Sequence, residues 1–262
     1  MITIQKYVCA QSLDDAYALN QNKRNSIVGG MMWIRLGKGN VNTAIDLCDL
    51  GLNTIEETVD SFVIGAMTTL RDIEQHEGLN KYTNGAIKNA VKDIVGVQFR
   101  NMATVGGSVW GRFGFSDVLT VLLAMDTCVQ LYKGGIVSLE EFVKMKYDRD
   151  ILVNIIIKKS KLNIIYSSMR NQKTDFPVIA CAVAQVNDEY RVSVGARPSK
   201  AMIVRDENKI LAQGITHESA KQFAQYVAQK TPTASNLRGS SAYRSHLIEV
   251  LTERTLNELR GF

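Results

Sequence analysis

Two glycine pairs are the residues whose type and spacing could do chemistry: VGGMMW at Val28–Trp33 and ATVGGSV at Ala103–Val109. Glycine lacks a Cβ, so its backbone reaches φ > 0 and successive N–H groups can converge into a nest that holds an anion without a lysine. Two such nests facing each other would hold a diphosphate. A Gly-Gly pair is also ordinary turn composition, so each pair alone leaves both readings open. Neither has the GxGxxG spacing of a dinucleotide fold or the GxxxxGK[ST] of a P-loop. The other reactive side chains show no catalytic pattern. His76, His217 and His246 are separated and lie in helical patterns, as surface or capping residues would, and no Ser–His–Asp order or paired carboxylates stand out. Cys9, Cys48, Cys128 and Cys181 are far apart among apolar or small neighbours, which predicts buried free thiols rather than disulfides. No two of them share metal-ligand spacing, so neither zinc nor a local iron–sulfur cluster is expected.

The elements that must position the glycine pairs alternate early in the chain. SLDDAYAL predicts a short helix from Leu13 capped by Ser12, Asn25–Val28 runs straight into Gly29-Gly30, and NTAIDLC (Asn42–Cys48) predicts a strand. A strand at Ser61–Ile64 is followed by a helix from Thr69 and another over Ile87–Val95, whose apolar positions have helical spacing. After Gly106-Gly107, Asp117 precedes VLTVLLAMD, which is apolar nearly all round and predicts a buried helix. Cys128–Tyr132 and Ile151–Lys158 read as strands. From about residue 161 the pattern changes: LNIIYSSM, PVIACAVAQV and YRVSVGA predict three successive strands, and helices follow from Thr216 and over SAYRSHLIEVLTERTLNELR. This predicts two α+β units joined near residue 160.

Four runs resemble, in order, the FAD-binding subunits of the xanthine dehydrogenase and carbon monoxide dehydrogenase family of molybdenum hydroxylases. VGVQFRNMATVGGSVWGRFGFSDVLTVLLAMDTCVQL (Val95–Leu131) is similar to that family's RN-x-AT-[IV]-GGN signature with its following SD and apolar helix. VGGMMWIRLG resembles its first Gly-Gly loop, VIGAMTTLRDIE (Val63–Glu74) its IGA-x-TT segment, and SVGARPSKA with SSAYRSHLIEVLTERTL its C-terminal domain. The resemblance implies an α+β fold: a two-subdomain α/β FAD-binding domain, PCMH-like, over 1–160 (subdomains about 1–55 and 56–160), then a C-terminal domain over 161–262 of a three-stranded antiparallel sheet plus helices. It implies noncovalent FAD, with the diphosphate wrapped by Val28, Gly29, Gly30, Met31, Met32 and Trp33 and by Ala103, Thr104, Gly106, Gly107 and Ser108. By the same carry-over Ala66 and Thr69 lie near the cofactor, Asp117 after Ser116 contacts its sugar region, and Arg170 and Asp175 belong to a further family segment. A helix cap is the alternative role for Asp117. Two departures stand out: Met31-Met32 replace the polar pair of relatives, keeping backbone donors but losing side-chain ones, and WGRFGF (Trp110–Phe115) is bulkier than usual.

The resemblance also implies what this chain lacks: 2Fe-2S clusters and molybdopterin on partner subunits, with NAD or another acceptor taking electrons from the flavin. A stand-alone flavin oxidoreductase and a binding protein with a decayed site are the alternatives. The net charge of +5 is dispersed, which argues against nucleic acid. No run reaches 18 apolar residues, so no membrane span is expected, and MITIQKYVCAQS lacks the form of a secretory leader, which predicts a cytoplasmic protein.

Overall fold

The computed structural model describes residues 2–261. Three strands begin it: β1 (Thr3–Cys9), β2 (Ser26–Val28) and β3 (Asn40–Asp46), all parallel, in the order β1-β3-β2. Helix α1 (Leu13–Asn20) crosses over between the first two and starts where the Ser12 side chain accepts from the Asp15 amide. Because the strands are parallel, their C-terminal ends leave at one edge. Cys9, Asp46 and Val28 stand in register there, and β2 delivers Gly29-Gly30 directly from that edge.

The second sheet is antiparallel, in the order β4-β5-β8-β6-β7, from β4 (Ile55–Glu57), β5 (Ser61–Gly65), β6 (Thr127–Leu131), β7 (Gly135–Ser138) and β8 (Leu152–Lys158). Between β5 and β6 run helices α2 (Leu70–Gln75), α3 (Glu77–Tyr82), α4 (Ala86–Val91), α5 (Val97–Arg100), α6 (Val105–Trp110) and α7 (Asp117–Leu123), and α8 (Leu139–Lys144) follows β7. Helix α7 is buried at every position, as its all-round apolar sequence requires. The helix expected over Ile87–Val95 stops at Val91, and Val95 turns left-handed (φ 51°) two residues before α5.

The last sheet has the order β12-β11-β10-β9: β9 (Leu162–Arg170), β10 (Pro177–Val186), β11 (Glu189–Gly195) and β12 (Met202–Arg205), all antiparallel. The three expected strands are its β9–β11. MIVR adds a fourth, short edge strand beyond the three that the sequence predicts. Helices α9 (His217–Lys230) and α10 (Ser241–Leu259) close the chain, capped by Thr216 and Ser240. Strand β10 is buried along nearly its whole length because both of its faces are covered. Ala180, Ala182 and Ala184 face a core shared with α7, and Ile179, Cys181 and Val183 face a core under α9 and α10. Among the described residues no helix is long and apolar enough to cross a membrane.

Candidate functional site

The two glycine loops touch through their backbones. A Cβ on Gly30 would lie 1.5 Å from the Met102 carbonyl oxygen, and one on Gly29 would lie 2.6 Å from Thr104 Oγ1. A Cβ on Gly106 would lie 2.5 Å from the Ala66 carbonyl oxygen. Close approach, not left-handed backbone, is therefore what demands glycine here. None of Gly29, Gly30, Gly106 and Gly107 has a positive φ, and the left-handed residue of the first loop is Met31 at 57°. The expectation of two facing φ > 0 nests is corrected accordingly.

The loops also differ in what they offer an anion. The backbone N–H groups of Gly29, Gly30, Met31, Met32 and Trp33 donate to no acceptor among the described residues. The second loop is the first turn of α6, and its donors are already used. The Gly107 amide donates to Thr104 Oγ1 at 3.2 Å, and those of Val105, Gly106 and Ser108 donate to the carbonyls of Thr68, Ala66 and Thr104 at 2.8, 2.9 and 3.1 Å. One loop presents free donors and the other a close-packed wall.

A cavity of about 300 Å³ opens beside them. Of the residues expected from sequence, Val28, Gly29, Ala66, Thr104, Gly106 and Gly107 line it. Sequence reasoning missed Arg149, which also lines it, by placing the Lys144–Lys161 cluster on a solvated surface. The Arg149 guanidinium donates to the Asn22 and Asn25 carbonyls at 2.6 and 2.7 Å, which ties the turn after α1 to the segment before β8. Beside it, the Asp150 carboxylate accepts from the amides of Lys133 and Gly134 at 3.0 and 2.7 Å. The only sequence signal for Arg149 was a charged Asp-Arg-Asp triplet set against an apolar strand.

A second cleft, about 420 Å³, lies on the other side of the Trp110–Phe115 segment. Trp33 sits in it with ring centroids 5.1, 5.0 and 5.9 Å from Phe113, Phe115 and Phe176. Arg112, 2% exposed, lines the same cleft, and none of its guanidinium nitrogens has a hydrogen-bond partner. It lies over Phe142 at 3.8 Å and Tyr147 at 4.6 Å, ring faces that partly offset its buried charge, and burial lowers its pKa. The bulky WGRFGF departure thus forms an aromatic wall. Met31 and Met32 turn to apolar clusters instead.

The remaining expected residues brace the site from outside the first cavity. The buried Asp117 carboxylate accepts from Arg170 Nη2 at 2.7 Å and from the Tyr166 hydroxyl. Burial pushes the Asp117 carboxyl up, against the pull of the Arg170 guanidinium. Arg170 also reaches the Asp175 carbonyl, and the Asp175 carboxylate accepts from the Phe176 amide at 2.7 Å and from Arg238 at 3.3 Å. The α7 cap is Ser116, whose Oγ accepts from the Leu119 amide at 3.1 Å, so the cap alternative for Asp117 is corrected. Thr69 caps α2 in a reciprocal pair with Asp72, the Ala103 carbonyl accepts from the Leu70 amide, and Ser108 Oγ donates to the Thr104 carbonyl. His76 is a cap too, its Nδ1 accepting from the Leu79 amide.

Comparison with known proteins adds the identity of the group such a cavity serves. The family model described as "FAD binding domain in molybdopterin dehydrogenase" matches residues 2–160. The chain belongs to that family. A second model, "CO dehydrogenase flavoprotein C-terminal domain", matches residues 164–259. The glyceraldehyde dehydrogenase medium chain of Sulfolobus acidocaldarius is 24% identical over 276 aligned positions, covering 97% of each chain. The nicotine 6-hydroxylase medium subunit of Paenarthrobacter nicotinovorans is 25% identical over 276 positions, covering 97% of this chain and 96% of its own. The solved "Reconstituted CO dehydrogenase from Oligotropha carboxidovorans" superposes with a TM-score of 0.88 at 20% identity, over 99% of this chain and 98% of that one, a likeness of fold. As an FAD-binding subunit of the molybdenum hydroxylase family, the chain has a site that fits the cofactor's diphosphate. Gly29, the first of five successive free amides, lines the cavity with Gly106, the close approach leaves no room for a Cβ at either glycine, and no side-chain donor is required of Met31-Met32.

Proposed function

We propose that this chain is the electron-transfer subunit of a three-component molybdenum hydroxylase. It takes electrons from 2Fe-2S clusters on an iron–sulfur partner, which a molybdenum partner carrying molybdopterin supplies. It passes them to an acceptor such as NAD⁺. Residues 1–160 hold the cofactor as two subdomains meeting near residue 55, and 161–262 form the adjoining flavoprotein domain. The observation that carries this reading is the row of free amides from Gly29 to Trp33, whose first residue lines the cavity with Ala66, Thr104 and Gly106. Val28, Gly29, Gly30, Met31, Met32 and Trp33 bind the diphosphate through backbone. Gly106 lets the second loop approach Ala66, Gly107 lines the cavity with it, and Ala103, Ser108, Ser116 and Thr69 hold that loop in place. Asp117, Arg170 and Asp175 fix α7 to β9 and so keep the Phe113–Phe115 wall where a planar ring can lie against it. FAD, when bound, supplies the exchange of single electrons and hydride equivalents that side chains cannot perform. In this reading hydroxylation, and the selection of a heterocycle, aldehyde or other substrate, belong to the molybdenum partner.

Native purification from the source cells, followed by acid extraction of flavin, mass spectrometry and metal analysis, tests this. We expect acid-released FAD, iron, molybdenum and two further chains. A flavoprotein free of iron, molybdenum and partners yet fully active on an organic substrate would overturn it in favour of a stand-alone oxidoreductase. A colourless chain would mean a decayed site.

A further inference from the structure

The C-terminal edge that launches the first glycine loop carries a second cluster. Parallel pairing of β1 with β3 sets Cys9 beside Asp46, and the turn after β3 brings Cys48 round to it. The expectation that all four thiols are buried holds for Cys128 and Cys181 only; Cys9 is half-buried and Cys48 exposed, with their sulfurs 4.0 Å apart. Asp49 Oδ1 lies 3.6 Å from Cys48 Sγ, and the three ligand atoms are all within 4.8 Å of one another. We propose that Cys9, Cys48 and Asp49 form a binding site for a thiophilic divalent cation of the zinc class, distinct from the cofactor cavity.

The spacing is that of a tetrahedral edge. With Zn–S near 2.3 Å and Zn–O near 2.0 Å, tetrahedral ligands stand about 3.8 Å apart sulfur to sulfur and about 3.5 Å sulfur to oxygen. A disulfide needs the sulfurs about 2 Å closer and has no use for a carboxylate. Asp46 positions the donors rather than joining them. One of its carboxylate oxygens accepts from the Cys48 amide at 2.9 Å and the other from the Tyr7 hydroxyl, which itself lies 3.8 Å from Cys9 Sγ. Three protein ligands at the surface leave a fourth position open to water. Register across β1, β3 and β2 separates Cys9 from Val28 by two strand spacings, roughly 10 Å, so cation and cofactor do not compete for atoms.

The test uses the full-length chain, reduced, with Zn²⁺ added and the unbound metal removed by gel filtration, and Co²⁺ as a spectroscopic probe. One retained equivalent is expected for wild type and for the Cys128→Ser control. Cys9→Ser and Cys48→Ser should lose it while melting like wild type, and Asp49→Asn should weaken it with both thiols intact. Co²⁺ should show thiolate charge-transfer absorption that both serine variants abolish. Metal retention independent of Cys9 and Cys48, Co²⁺ bound without that band, or reduced protein that holds no metal and reoxidises to a Cys9–Cys48 disulfide would each overturn the proposal. FAD content plays no part in these readouts, so the outcome is separate from that of the cofactor reading.

Discussion

Gly30→Ala perturbs the close approach that sets the first glycine loop, with its free amides, against the second. The added Cβ would lie 1.5 Å from the Met102 carbonyl oxygen and 2.3 Å from its carbon. Relaxed carbon–oxygen contacts are about 3.3 Å, so one loop must retreat by roughly 1.8 Å. Both clashing atoms are backbone, and no side chain can swing aside. Overpacking of this kind costs about 1–3 kcal/mol, and a rigid backbone neighbour places it at the upper end. If about 2–3 kcal/mol falls on the binding geometry, FAD binds about 30- to 140-fold more weakly at ~1.4 kcal/mol per tenfold. Gly107 carries a milder prediction than its place in the motif suggests. Its nearest obstacle is Thr104 Oγ1 at 3.1 Å, and alanine suits a helix better than glycine by up to about 1 kcal/mol. Gly39→Ala, with nothing within 4 Å, is the control. The assay is acid-released FAD per chain after gel filtration, with denaturant unfolding of the apo-protein alongside. Wild-type FAD content together with wild-type stability in Gly30→Ala would refute the close approach. Lost stability with unchanged FAD affinity would leave the contact structural and remove the loop pair from the cofactor site.

Two further expectations concern the braces of the fold. Arg170→Met strands a buried carboxylate and should lower unfolding free energy by about 3–5 kcal/mol, part of which returns when Asp117→Asn is added; denaturant curves of the single and double variants check this, and a loss under ~1 kcal/mol in the single variant contradicts it. For Glu74, burial works against ionisation, but a hydrogen bond from Arg100 at 2.8 Å and the Arg71 guanidinium paired with it at 3.0 Å hold its carboxyl below the ordinary value. The folded pKa is depressed, so the stability it contributes is present above the ordinary carboxylate pKa, about 4.3, and is lost as pH falls through the lower folded value. Glu74→Gln should be less stable at neutral pH and lose less on acidification, and unfolding curves across that acid range that parallel wild type would refute the assignment.

What the sequence disclosed and what it withheld divide along the range of the interaction involved. Caps and burial are local: Ser12, Thr69, Thr216 and Ser240 announce helix starts from within four residues, and the unbroken apolar run of β10 announces cover on both faces. The resemblance in SSAYR is local in part: Ser240 caps α10 and one turn later Arg244, 1% exposed, donates to the nearby carbonyls of Ala234 and Gly239. Partner identity is not local. Arg170 meets Asp117 across 53 positions, Arg149 reaches Asn25 across 124, and Cys48 meets Cys9 across 39. Each pairing is fixed by strand register or a crossover, and a one-residue slip of β1 against β3 would separate the two thiols while leaving every periodicity in the sequence unchanged. The glycine loops show both sides of this division. Their composition marked the site, yet composition could not tell a left-handed nest from close backbone approach, because what excludes a Cβ at Gly30 is the Met102 carbonyl, 72 residues away in sequence.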